Sequence, residues 1–317
     1  MIESNFCPLC GEFDQFILIT YRENVPVGQN FLMPTPEAAY AVPRGTLDIV
    51  MCSHCTFVFN RAFESDKVDY SKDYENKQYL SSVFLDYLQE LWVLLKDKYK
   101  VTPANCLLEV GCGQGFFLEE AIRQLGVTGI GFDPAYRSQD KAGSVAQYYS
   151  EYYTSEHKGI GADIILSRHV IEHISDPRTF LKDLSHAISN ESVQLFLETP
   201  DIHWILENQV VWDFFYEHCS YFSPYTLSYA AALAGFDTQD VQSVFKDQYM
   251  WFSGCPGRTQ TLHLEEGDKV KALTLARTYF EYEHQIFQYI IYTFRLPIHN
   301  SMQQYLNISG GFGGGIN

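Results

Sequence analysis

One segment of ten residues constrains the fold of this chain more than any other, because it joins an apolar strand to a helix through three glycines. Residues 107–116 read LLEVGCGQGF. In such a turn only glycine lets the backbone approach a ligand closely, and a helix begins at once. The segment therefore predicts an α/β sheet that binds a ligand where a strand passes into a helix.

The sequence around this turn alternates short apolar runs with amphipathic ones. Such alternation, with helices of ~10 residues, indicates parallel βαβ units that have helices on both faces of one sheet. We therefore predict an α/β fold with a doubly wound, Rossmann-like core. The predicted strands are Cys106–Val110, Val127–Phe132, Ala162–Leu166 and Ser192–Leu197, and the predicted helices are Phe116–Leu125, Pro177–Ile188 and Ser223–Ala234.

The glycine turn differs from the dinucleotide pattern G-x-G-x-x-G, because it reads E-x-G-x-G-x-G. The acid, Glu109, suits a ligand with a cationic amino-acid end and suits a pyrophosphate badly. Asp133 ends the second strand and is placed to accept hydrogen bonds from both hydroxyls of a ribose. Over about residues 104–240 the pattern resembles the class I S-adenosylmethionine-dependent methyltransferases, with a Rossmann dehydrogenase as the main alternative. The resemblance implies S-adenosylmethionine as cofactor, bound by Glu109, Gly111, Gly113, Gly115 and Asp133.

Four cysteines form two C-x-x-C pairs, Cys7 with Cys10 and Cys52 with Cys55. Each pair supplies two thiolates from one tight turn, and zinc prefers four soft ligands in a tetrahedron. In an intracellular protein, two such pairs favour a zinc site of four thiolates over disulfides. A closed set of four thiolates leaves no position for water, so we expect a structural zinc. Four ordinary or redox-active cysteines are the alternative.

Residues 169–173 read HVIEH, which matches the H-x-x-E-H spacing of inverted zinc peptidases. That motif needs a helix that presents both histidines to a metal, whereas here it follows a predicted strand. The motif therefore lies at the carboxyl edge of the sheet, where α/β folds bind their ligands. We expect His169 to contact the cofactor and His173 to reach the reacting groups, with purely structural histidines as the alternative.

A second candidate active segment follows the predicted strand Ser192–Leu197. Residues 216–223 read YEHCSYFS, and Ser223 with Pro224 is typical of an N-cap followed by the first residue of a helix. The start of the helix fixes the loop that carries Glu217 and His218. A histidine beside a carboxylate can act as a general base near neutral pH, because the neighbour tunes its pKa. A buried histidine that serves only the fold is the alternative.

Together, the paired cysteines, the methyltransferase core and the YEHCSYFS segment resemble the C-methyltransferases of nucleotide-activated deoxysugars. That family has a zinc-binding N-terminal domain, a central cofactor domain and a C-terminal Rossmann-like domain, and it methylates the carbon beside a keto group of a dTDP-linked sugar. The resemblance implies that His218 is the base and Glu217 its partner. It also implies that Tyr74 and His173 reach the same pocket, where such donors would steady an enolate oxygen.

The chain departs from that family at two points, which leaves the acceptor open. The family has a tyrosine two residues before the glutamate, where this chain has Phe215. Most of the C-terminal Rossmann-like domain, which would begin near the glycine-rich tail, is not expected in this chain. The alternatives are O- or N-methylation of a small natural-product metabolite and, from a different class, a non-catalytic protein that binds S-adenosylmethionine.

Changes in composition and in apolar periodicity along the chain predict four regions. We expect a turn-rich zinc-binding module with the four paired cysteines at 1–67, a helical linker or substrate lid at 68–103, the S-adenosylmethionine-binding core at 104–264, and a helical segment with a glycine-rich tail at 265–317. Within the second region, apolar residues indicate a helix, and from Leu85 onward they recur at steps of three and four: Val83, Leu85, Leu88, Leu91, Trp92 and Leu95.

Charge and hydropathy narrow the choice of partners. The formal net charge is −17 and no cluster of lysine and arginine is present, which argues against a nucleic-acid substrate. Apolar stretches fall short of the ~20 residues that a membrane helix needs, and the first residues lack the pattern of a signal peptide. We therefore expect a soluble, cytoplasmic enzyme that binds no membrane and acts on a small-molecule acceptor such as a nucleotide-linked sugar.

Overall fold

The computed structural model describes residues 5–28, 33–68, 81–137, 145–188, 190–257 and 262–294. The strands are β1 (Phe16–Pro26), β2 (Arg44–Cys52), β3 (Val58–Asn60), β4 (Cys106–Val110), β5 (Thr128–Phe132), β6 (Ala146–Tyr149), β7 (Ile164–Arg168), β8 (Gln194–Pro200), β9 (Ser220–Tyr221), β10 (Phe236–Val244) and β11 (Tyr249–Pro256). The helices are α1 (Pro36–Tyr40), α2 (Ser82–Asp97), α3 (Phe116–Leu125), α4 (Pro177–Ser185), α5 (Ile202–Glu207), α6 (Pro224–Leu233) and α7 (Glu266–Phe294). In this part of the chain, every helix is too short or too polar to span a bilayer.

The larger of two sheets has the strand order β10-β11-β8-β7-β4-β5-β6. The strands from β8 to β6 run parallel, whereas β10 and β11 form an antiparallel hairpin whose second strand pairs with β8. Because the parallel strands point the same way, the carboxyl ends of β4, β5, β7 and β8 lie at one edge. That edge carries the loops in which an α/β sheet binds its ligands.

Apolar side chains cover both faces of this sheet. On one face, residues of α4 and α6 share a core with Leu108 and Ile165. On the other face, residues of α2 and α3 pack with Leu107 and Leu166. Successive residues of a strand point to opposite faces, so a strand that is covered on both sides is apolar throughout. The structure therefore confirms the predicted α/β fold with a mostly parallel central sheet.

The smaller sheet has the order β1-β2-β3-β9, and its strand pairs are antiparallel. Its last strand, β9, comes from the segment that follows His218, far from β3 along the chain. The N-terminal region is thus joined by backbone hydrogen bonds to the second candidate active segment. Helix α7 packs on β1, where Arg22 forms an ion pair with the buried Glu283.

Some expectations from the sequence need correction. The N-terminal region contains the long strands β1 and β2 in addition to its turns, and β6 was not predicted. Helix α2 begins at Ser82 and buries Phe84 and Tyr87, whereas Val83 and Leu85 are 53% and 40% exposed. The reason is helical phase, since only residues on one side of the helix can face the core. The glycine-rich tail lies outside the described residues.

Candidate active site

The glycine turn between β4 and α3 has the backbone conformation that its sequence requires. Gly111, Gly113 and Gly115 have φ values of +82°, +54° and +75°, a region that favours glycine. A Cβ atom on Gly111 would lie 2.1 Å from Cγ2 of Val170, whereas a Cβ atom on Gly113 would meet nothing within 4 Å. The turn therefore presses against the segment after β7 and leaves open space beside Gly113.

Asp133, directly after β5, ties this turn to the neighbouring strand. Its Oδ2 atom accepts a hydrogen bond from the Gly113 N–H at 2.8 Å, and its Oδ1 atom accepts one from the Ala135 N–H at 2.7 Å. Burial raises the pKa of this carboxyl group, and the two N–H donors oppose that shift. Each carboxylate oxygen has two lone pairs, so both keep the capacity to accept a further hydrogen bond from a ligand.

Glu109 lies on β4, two residues before the turn, and is 3% exposed. Burial raises its pKa to about 7, while the positive charge of Arg168 acts in the opposite direction. Among the described residues, its Oε2 atom is buried without a hydrogen-bond partner. Such an atom costs free energy unless a ligand brings a donor to it. The open space beside Gly113 and this acceptor fit a nucleoside that carries a cationic amino-acid end, as S-adenosylmethionine does.

Two histidines meet at the carboxyl edge of the sheet, next to the glycine turn. His173 ends a short 3-10 turn after β7, and His218 lies on the loop before β9. The centroids of the two rings are 4.8 Å apart, with the rings nearly perpendicular. Val170, which touches Gly111, belongs to the same loop as His173. The fold therefore brings together two residues that the sequence singled out in separate segments.

Glu172 joins these histidines in a compact group. Glu172, His173 and His218 each place a ligand-type atom within 4.8 Å of the others, a set that could hold a cation. Both carboxylate oxygens of Glu172 are already engaged, one 3.2 Å from Nδ1 of His169 and one accepting a hydrogen bond from the Thr199 hydroxyl at 3.0 Å. These bonds favour a hydrogen-bonding role for Glu172 over metal ligation.

Aromatic rings enclose the side chain of His218. Its centroid lies 3.9 Å from that of Phe215 and 6.1 Å from that of Tyr221. Burial lowers the pKa of His218 well below its usual value, and the charges that His173 and His169 can carry lower it further. The ring is therefore neutral at neutral pH and has a lone pair that can take a proton.

The tautomer of His173 follows from one hydrogen bond. Its Nδ1 atom lies 3.1 Å from the carbonyl oxygen of Glu217, and a carbonyl oxygen only accepts, so Nδ1 donates. Burial lowers the pKa of His173 and favours the neutral ring, in which Nε2 then carries the lone pair. An acceptor nitrogen does not stabilise an oxyanion. The contact therefore favours His173 as a proton acceptor over the donor role expected from the sequence.

His169 is committed to two buried carboxylates. Its Nδ1 atom lies 3.2 Å from Glu172, and its Nε2 atom lies 3.0 Å from Glu198. Although burial lowers it, the Glu198 carboxylate raises the pKa of His169 to about 9 overall. Both nitrogens of this imidazolium are thus used within the protein. Contrary to the expectation from the sequence, neither is available to the cofactor, because a carboxylate occupies each side of the ring.

Arg168, Glu198 and Tyr87 extend this buried group, and the sequence analysis missed them. The Arg168 Nε–H and the Tyr87 hydroxyl both donate to Glu198, the latter at 2.6 Å. Burial raises the pKa of Glu198, but Arg168 and His169 together lower it to about 2. A signal for two of them is present in the sequence. Arg168 ends β7, and Glu198 lies near the end of β8, where charged residues within apolar strands indicate a ligand-binding edge.

The side chains of the neighbouring residues Phe215 and Tyr216 contact different parts of the protein. The Tyr216 hydroxyl accepts a hydrogen bond from the Glu64 N–H at 2.9 Å, and its ring fills the space where a Cβ atom of Gly45 would lie. Tyr216 therefore belongs to the N-terminal region, and Phe215 is the residue that packs on His218. The Glu217 side chain is buried, and its backbone carbonyl orients His173.

The predicted tyrosine of this pocket cannot be placed in the same way. Tyr74 lies outside the described residues, which resume at residue 81. The role that the sequence gives to it therefore stays a prediction.

Cys7, Cys10, Cys52 and Cys55 converge as the sequence predicts. The sulfur atoms of Cys7 and Cys55, and those of Cys10 and Cys52, are 3.7 Å apart, and all four lie within 4.8 Å of one another. Disulfide sulfurs would be ~2.05 Å apart. A tetrahedron with metal–sulfur bonds of ~2.3 Å has sulfur–sulfur edges of about 3.8 Å. The cluster thus has the ligand set and spacing of a tetrahedral thiolate metal site.

This cysteine cluster is connected to the loop of His218. Strand β3 begins three residues after Cys55 and pairs with β9. The Asn60 N–H donates to the Cys219 carbonyl at 2.9 Å, and the Cys219 N–H donates to the Glu172 carbonyl at 3.0 Å. The N-terminal sheet, the loop of His218 and the 3-10 turn of His173 are therefore linked by consecutive backbone hydrogen bonds.

Known proteins are similar to part of this chain. It is similar to the C-methyltransferase NovU of Streptomyces niveus, with 26% identity over 231 residues, which cover 68% of this chain and 52% of that protein. The chain thus spans about half the length of this relative. Among solved structures, it is similar to the Burkholderia thailandensis 1,6-didemethyltoxoflavin-N1-methyltransferase with bound S-adenosylhomocysteine (15% identity, TM-score 0.44, 56% of this chain and 81% of that chain).

A further similar structure is the magnesium protoporphyrin IX methyltransferase from Synechocystis PCC 6803 with bound S-adenosylhomocysteine (10% identity, TM-score 0.44, 55% of this chain and 86% of that chain). Residues 77–241, just over half of the chain, match the family described as "Methyltransferase domain". These residues include the glycine turn, Asp133 and both histidines of the site. The chain belongs to this family of methyltransferase domains.

Proposed function

We propose that this chain is an S-adenosylmethionine-dependent methyltransferase of small molecules, and that it methylates the carbon beside a keto group of a nucleotide-linked sugar or a related metabolite. One observation carries the proposal: His173 and His218, whose pKa values burial lowers, lie beside a glycine turn that leaves open space next to Gly113. Val170 joins the two halves, because it touches Gly111 and lies three residues before His173.

On the cofactor side, the contribution of this chain is binding and alignment. S-adenosylmethionine supplies an electrophilic methyl group on a sulfonium. Asp133 would accept hydrogen bonds from the ribose hydroxyls, and Glu109 would accept one from the ammonium group through its buried Oε2 atom. The space beside Gly113 admits the ligand next to the backbone.

On the acceptor side, the contribution of this chain is proton transfer. A carbon beside a keto group is a poor nucleophile until its proton is removed. His218 would take that proton, because its lowered pKa keeps the ring neutral. His173, with its lone pair on Nε2, would receive a hydrogen bond from the protonated His218. Tyr74 would donate to the developing enolate oxygen, a role worth ~3 kcal/mol for a well-placed donor.

The choice of carbon over oxygen or nitrogen is supported by a similar protein. NovU from Streptomyces niveus is named a C-methyltransferase. The same base could deprotonate a hydroxyl or an amine, so O- or N-methylation of a natural-product metabolite is the alternative that the experiment must separate.

We also propose that the four N-terminal cysteines hold a structural zinc. Four thiolates close the coordination shell, so no position is left for a reacting group. The metal would act on the reaction only through the fold, by fixing β3 and, with it, the β9 strand after His218.

The proposal is tested with donor that carries an isotope-labelled methyl group and a panel of keto nucleotide sugars. Mass spectrometry and NMR should find the label on the carbon beside the keto group. Wild-type enzyme should also exchange that carbon-bound proton with solvent deuterium when proton removal is reversible. Label on oxygen or nitrogen would support the alternative, and binding of the cofactor without product from any acceptor would support a non-catalytic protein.

A further inference from the structure

His169, which the proposed reaction does not use, lies between two buried carboxyl groups. Its Nδ1 atom is 3.2 Å from Oε1 of Glu172, and its Nε2 atom is 3.0 Å from Oε1 of Glu198. The His169 side chain is 14% exposed, whereas those of the two acids are at most 2% exposed. Water therefore does little to stabilise charges here, and each charge needs a partner within the protein.

The other hydrogen bonds of both acids are those of ionised carboxylates. The Tyr87 hydroxyl donates to the same oxygen of Glu198 at 2.6 Å, and the Thr199 hydroxyl donates to the second oxygen of Glu172 at 3.0 Å. Since these oxygens act as acceptors, both ring nitrogens of His169 must donate. A histidine donates from both nitrogens only as an imidazolium.

The two acids differ in their other ion pairs. Glu198 is also paired with Arg168, whose Nε–H donates to its second oxygen. Within the described part of the chain, the ion pair of Glu172 is with His169 alone. Removal of the His169 charge would therefore leave Glu198 paired and Glu172 as an unpaired buried carboxylate.

Glu172 also lies next to the two histidines of the proposed proton transfer. An oxygen of its carboxylate and one nitrogen of each of His173 and His218 lie within 4.8 Å of one another. At such distances an unpaired carboxylate favours the charged form of an imidazole. A protonated ring has no lone pair to take a proton, so an unpaired Glu172 would oppose the role of these histidines as base.

The other titratable side chains around these rings supply no positive charge. Burial raises the pKa of Tyr221 well above its usual value and that of Cys219 to about 12. Burial also raises the pKa of Tyr249, which packs against the imidazolium from β11. Glu217, on the loop before β9, is a further buried acid. Among these groups, only the imidazolium can balance the Glu172 carboxylate.

The directions of the pKa shifts agree with this arrangement. Burial lowers the pKa of His173, the charge of Glu172 raises it, and the charge of His169 lowers it. Burial also lowers the pKa of His218, and the charges of the other two histidines lower it further. Burial alone would lower the pKa of His169, but the Glu198 and Glu172 carboxylates raise it to about 9, so this ring stays charged at neutral pH.

We infer that His169 is a positioning residue that acts on the reaction through Glu172: its imidazolium orients and balances the Glu172 carboxylate, so that His173 and His218 stay unprotonated beside it. The inference rests on the proposed function, because it concerns the proton affinity of the residues proposed as the base. It gives a role to a histidine whose two nitrogens are both used within the protein.

The test follows the protonation of the imidazoles by NMR in this chain, labelled in its histidine rings, without cofactor or acceptor. Single substitutions of histidine by asparagine assign the signals. His169→Asn removes the imidazolium and leaves Glu172 unpaired. The pair formed by His173 and His218 should then take up its first proton with an affinity about tenfold or more higher, the usual effect of an opposite charge at this distance.

A double variant separates this effect of charge from looser packing. In His169→Asn/Glu172→Gln the unpaired carboxylate is absent, so the gain in proton affinity should disappear. Looser packing would instead let water reach the rings and raise their proton affinity in both variants. The control is His157→Asn, which removes another histidine beside a carboxylate, 3.4 Å from Glu151 in the loop between β6 and β7, and should leave the pair unchanged.

The wild type gives a second test that does not depend on the folding of a variant. At pH 7 the His169 ring should show two protonated nitrogens, whereas His173 and His218 should each show one. A neutral His169 at that pH would overturn the inference. So would an unchanged proton affinity of the pair in folded His169→Asn, or a gain that persists in the double variant.

These measurements need no acceptor, so they separate the inference from the proposed function. In the active enzyme, the acid limb of the pH profile of turnover should move to higher pH in His169→Asn, by the shift that NMR measures, because the base must be unprotonated. Absence of transfer from labelled donor to any acceptor would overturn the proposed function and the role of His169 in it, while the NMR titration alone decides whether His169 balances Glu172.

Discussion

The cofactor side and the acceptor side of this site are built in different ways. The cofactor side lies mainly in one stretch, from Glu109 to the start of α3, with Asp133 bonded to it from the next strand. The acceptor side takes His173 and His218 from separate loops, and the N-terminal sheet holds the second loop through β9. If the proposed function is correct, binding of the cofactor is a local property of the core, whereas the chemistry depends on a distant part of the chain.

The largest expected effect is a loss of turnover on substitution of His218, with binding of the cofactor unchanged. His218→Asn should reduce turnover by ~10²–10⁴-fold, the usual contribution of a positioned general base. Binding of S-adenosylhomocysteine should stay close to that of the wild type, because the glycine turn and Asp133 do not contact the imidazole. Rates of transfer from labelled donor, with the far-UV spectrum as a check on folding, measure the effect.

A matched control is His186→Asn, since His186 is exposed, directly after α4, and outside the site. A folded His218→Asn enzyme with near-wild-type turnover on its true acceptor would end the role of His218 as base. Comparison with His173→Asn then decides which of the two neutral imidazoles takes the proton.

The next effect tests the connection from the cysteine cluster to the loop of His218. Metal analysis should find about one zinc per chain, and Cys52→Ser should release it and unfold the N-terminal sheet. Turnover should fall by ~10²-fold, the scale of a small misplacement of catalytic groups, while the core still binds S-adenosylhomocysteine. Cys255→Ser, which changes a cysteine of β11, is the control. Metal-replete protein without zinc or a comparable metal would contradict the assignment.

A smaller effect is expected on the cofactor side. Asp133→Ala should weaken binding of S-adenosylhomocysteine by roughly 1.5–3 kcal/mol, because it removes a charged acceptor of hydrogen bonds. Asp133→Asn, which keeps one acceptor oxygen, should lose less, and Asp97→Ala on α2 should lose nothing. Unchanged affinity in calorimetry of Asp133→Ala would assign the ribose contact to another residue.

The smallest effect is on stability at mildly acid pH. In the folded state, burial lowers the pKa values of His173 and His218, whereas an unfolded histidine titrates near 6.5. The unfolded chain therefore binds protons that the folded chain excludes. The contribution of these two histidines to the unfolding free energy is complete above pH 6.5 and is lost as the pH falls below it. The raised pKa of His169 acts in the opposite direction, but its contribution is lost only as the pH rises towards 9.

Urea unfolding at pH 7 and pH 5.5 measures this loss. The wild type should lose about 1 kcal/mol more unfolding free energy than His218→Asn between these two pH values. Equal losses in the two proteins would show that the site does not exclude protons.

The same contrast explains how much could be predicted from sequence. The strand from Cys106, the helix from Phe116 and the glycine turn obey local rules of periodicity and backbone freedom, and the structure confirms the two elements. The cysteine pairs also carry their geometry in their spacing. The contacts around Glu198 could not be predicted, although Arg168 and Glu198 lie at strand ends, because the members of this group come from α2, β7 and β8 and meet only when the sheet forms.

Single residues show the same limit. Tyr216 lies one residue from the position where the related family has a tyrosine, yet its hydroxyl accepts a hydrogen bond from the Glu64 N–H in the N-terminal region. His169 looked like a ligand contact, but two carboxylates occupy its nitrogens. A side chain at the correct position in a motif can form its hydrogen bonds with a residue that is distant in sequence.

The most direct test of the separation between the two sides is a calorimetric titration of S-adenosylhomocysteine into the wild type, His218→Asn and Asp133→Ala. The account predicts binding by the wild type, the same dissociation constant within about twofold for His218→Asn, and a dissociation constant about 10- to 150-fold higher for Asp133→Ala. Absence of binding by the wild type, or an equal loss of affinity in both variants, would contradict it.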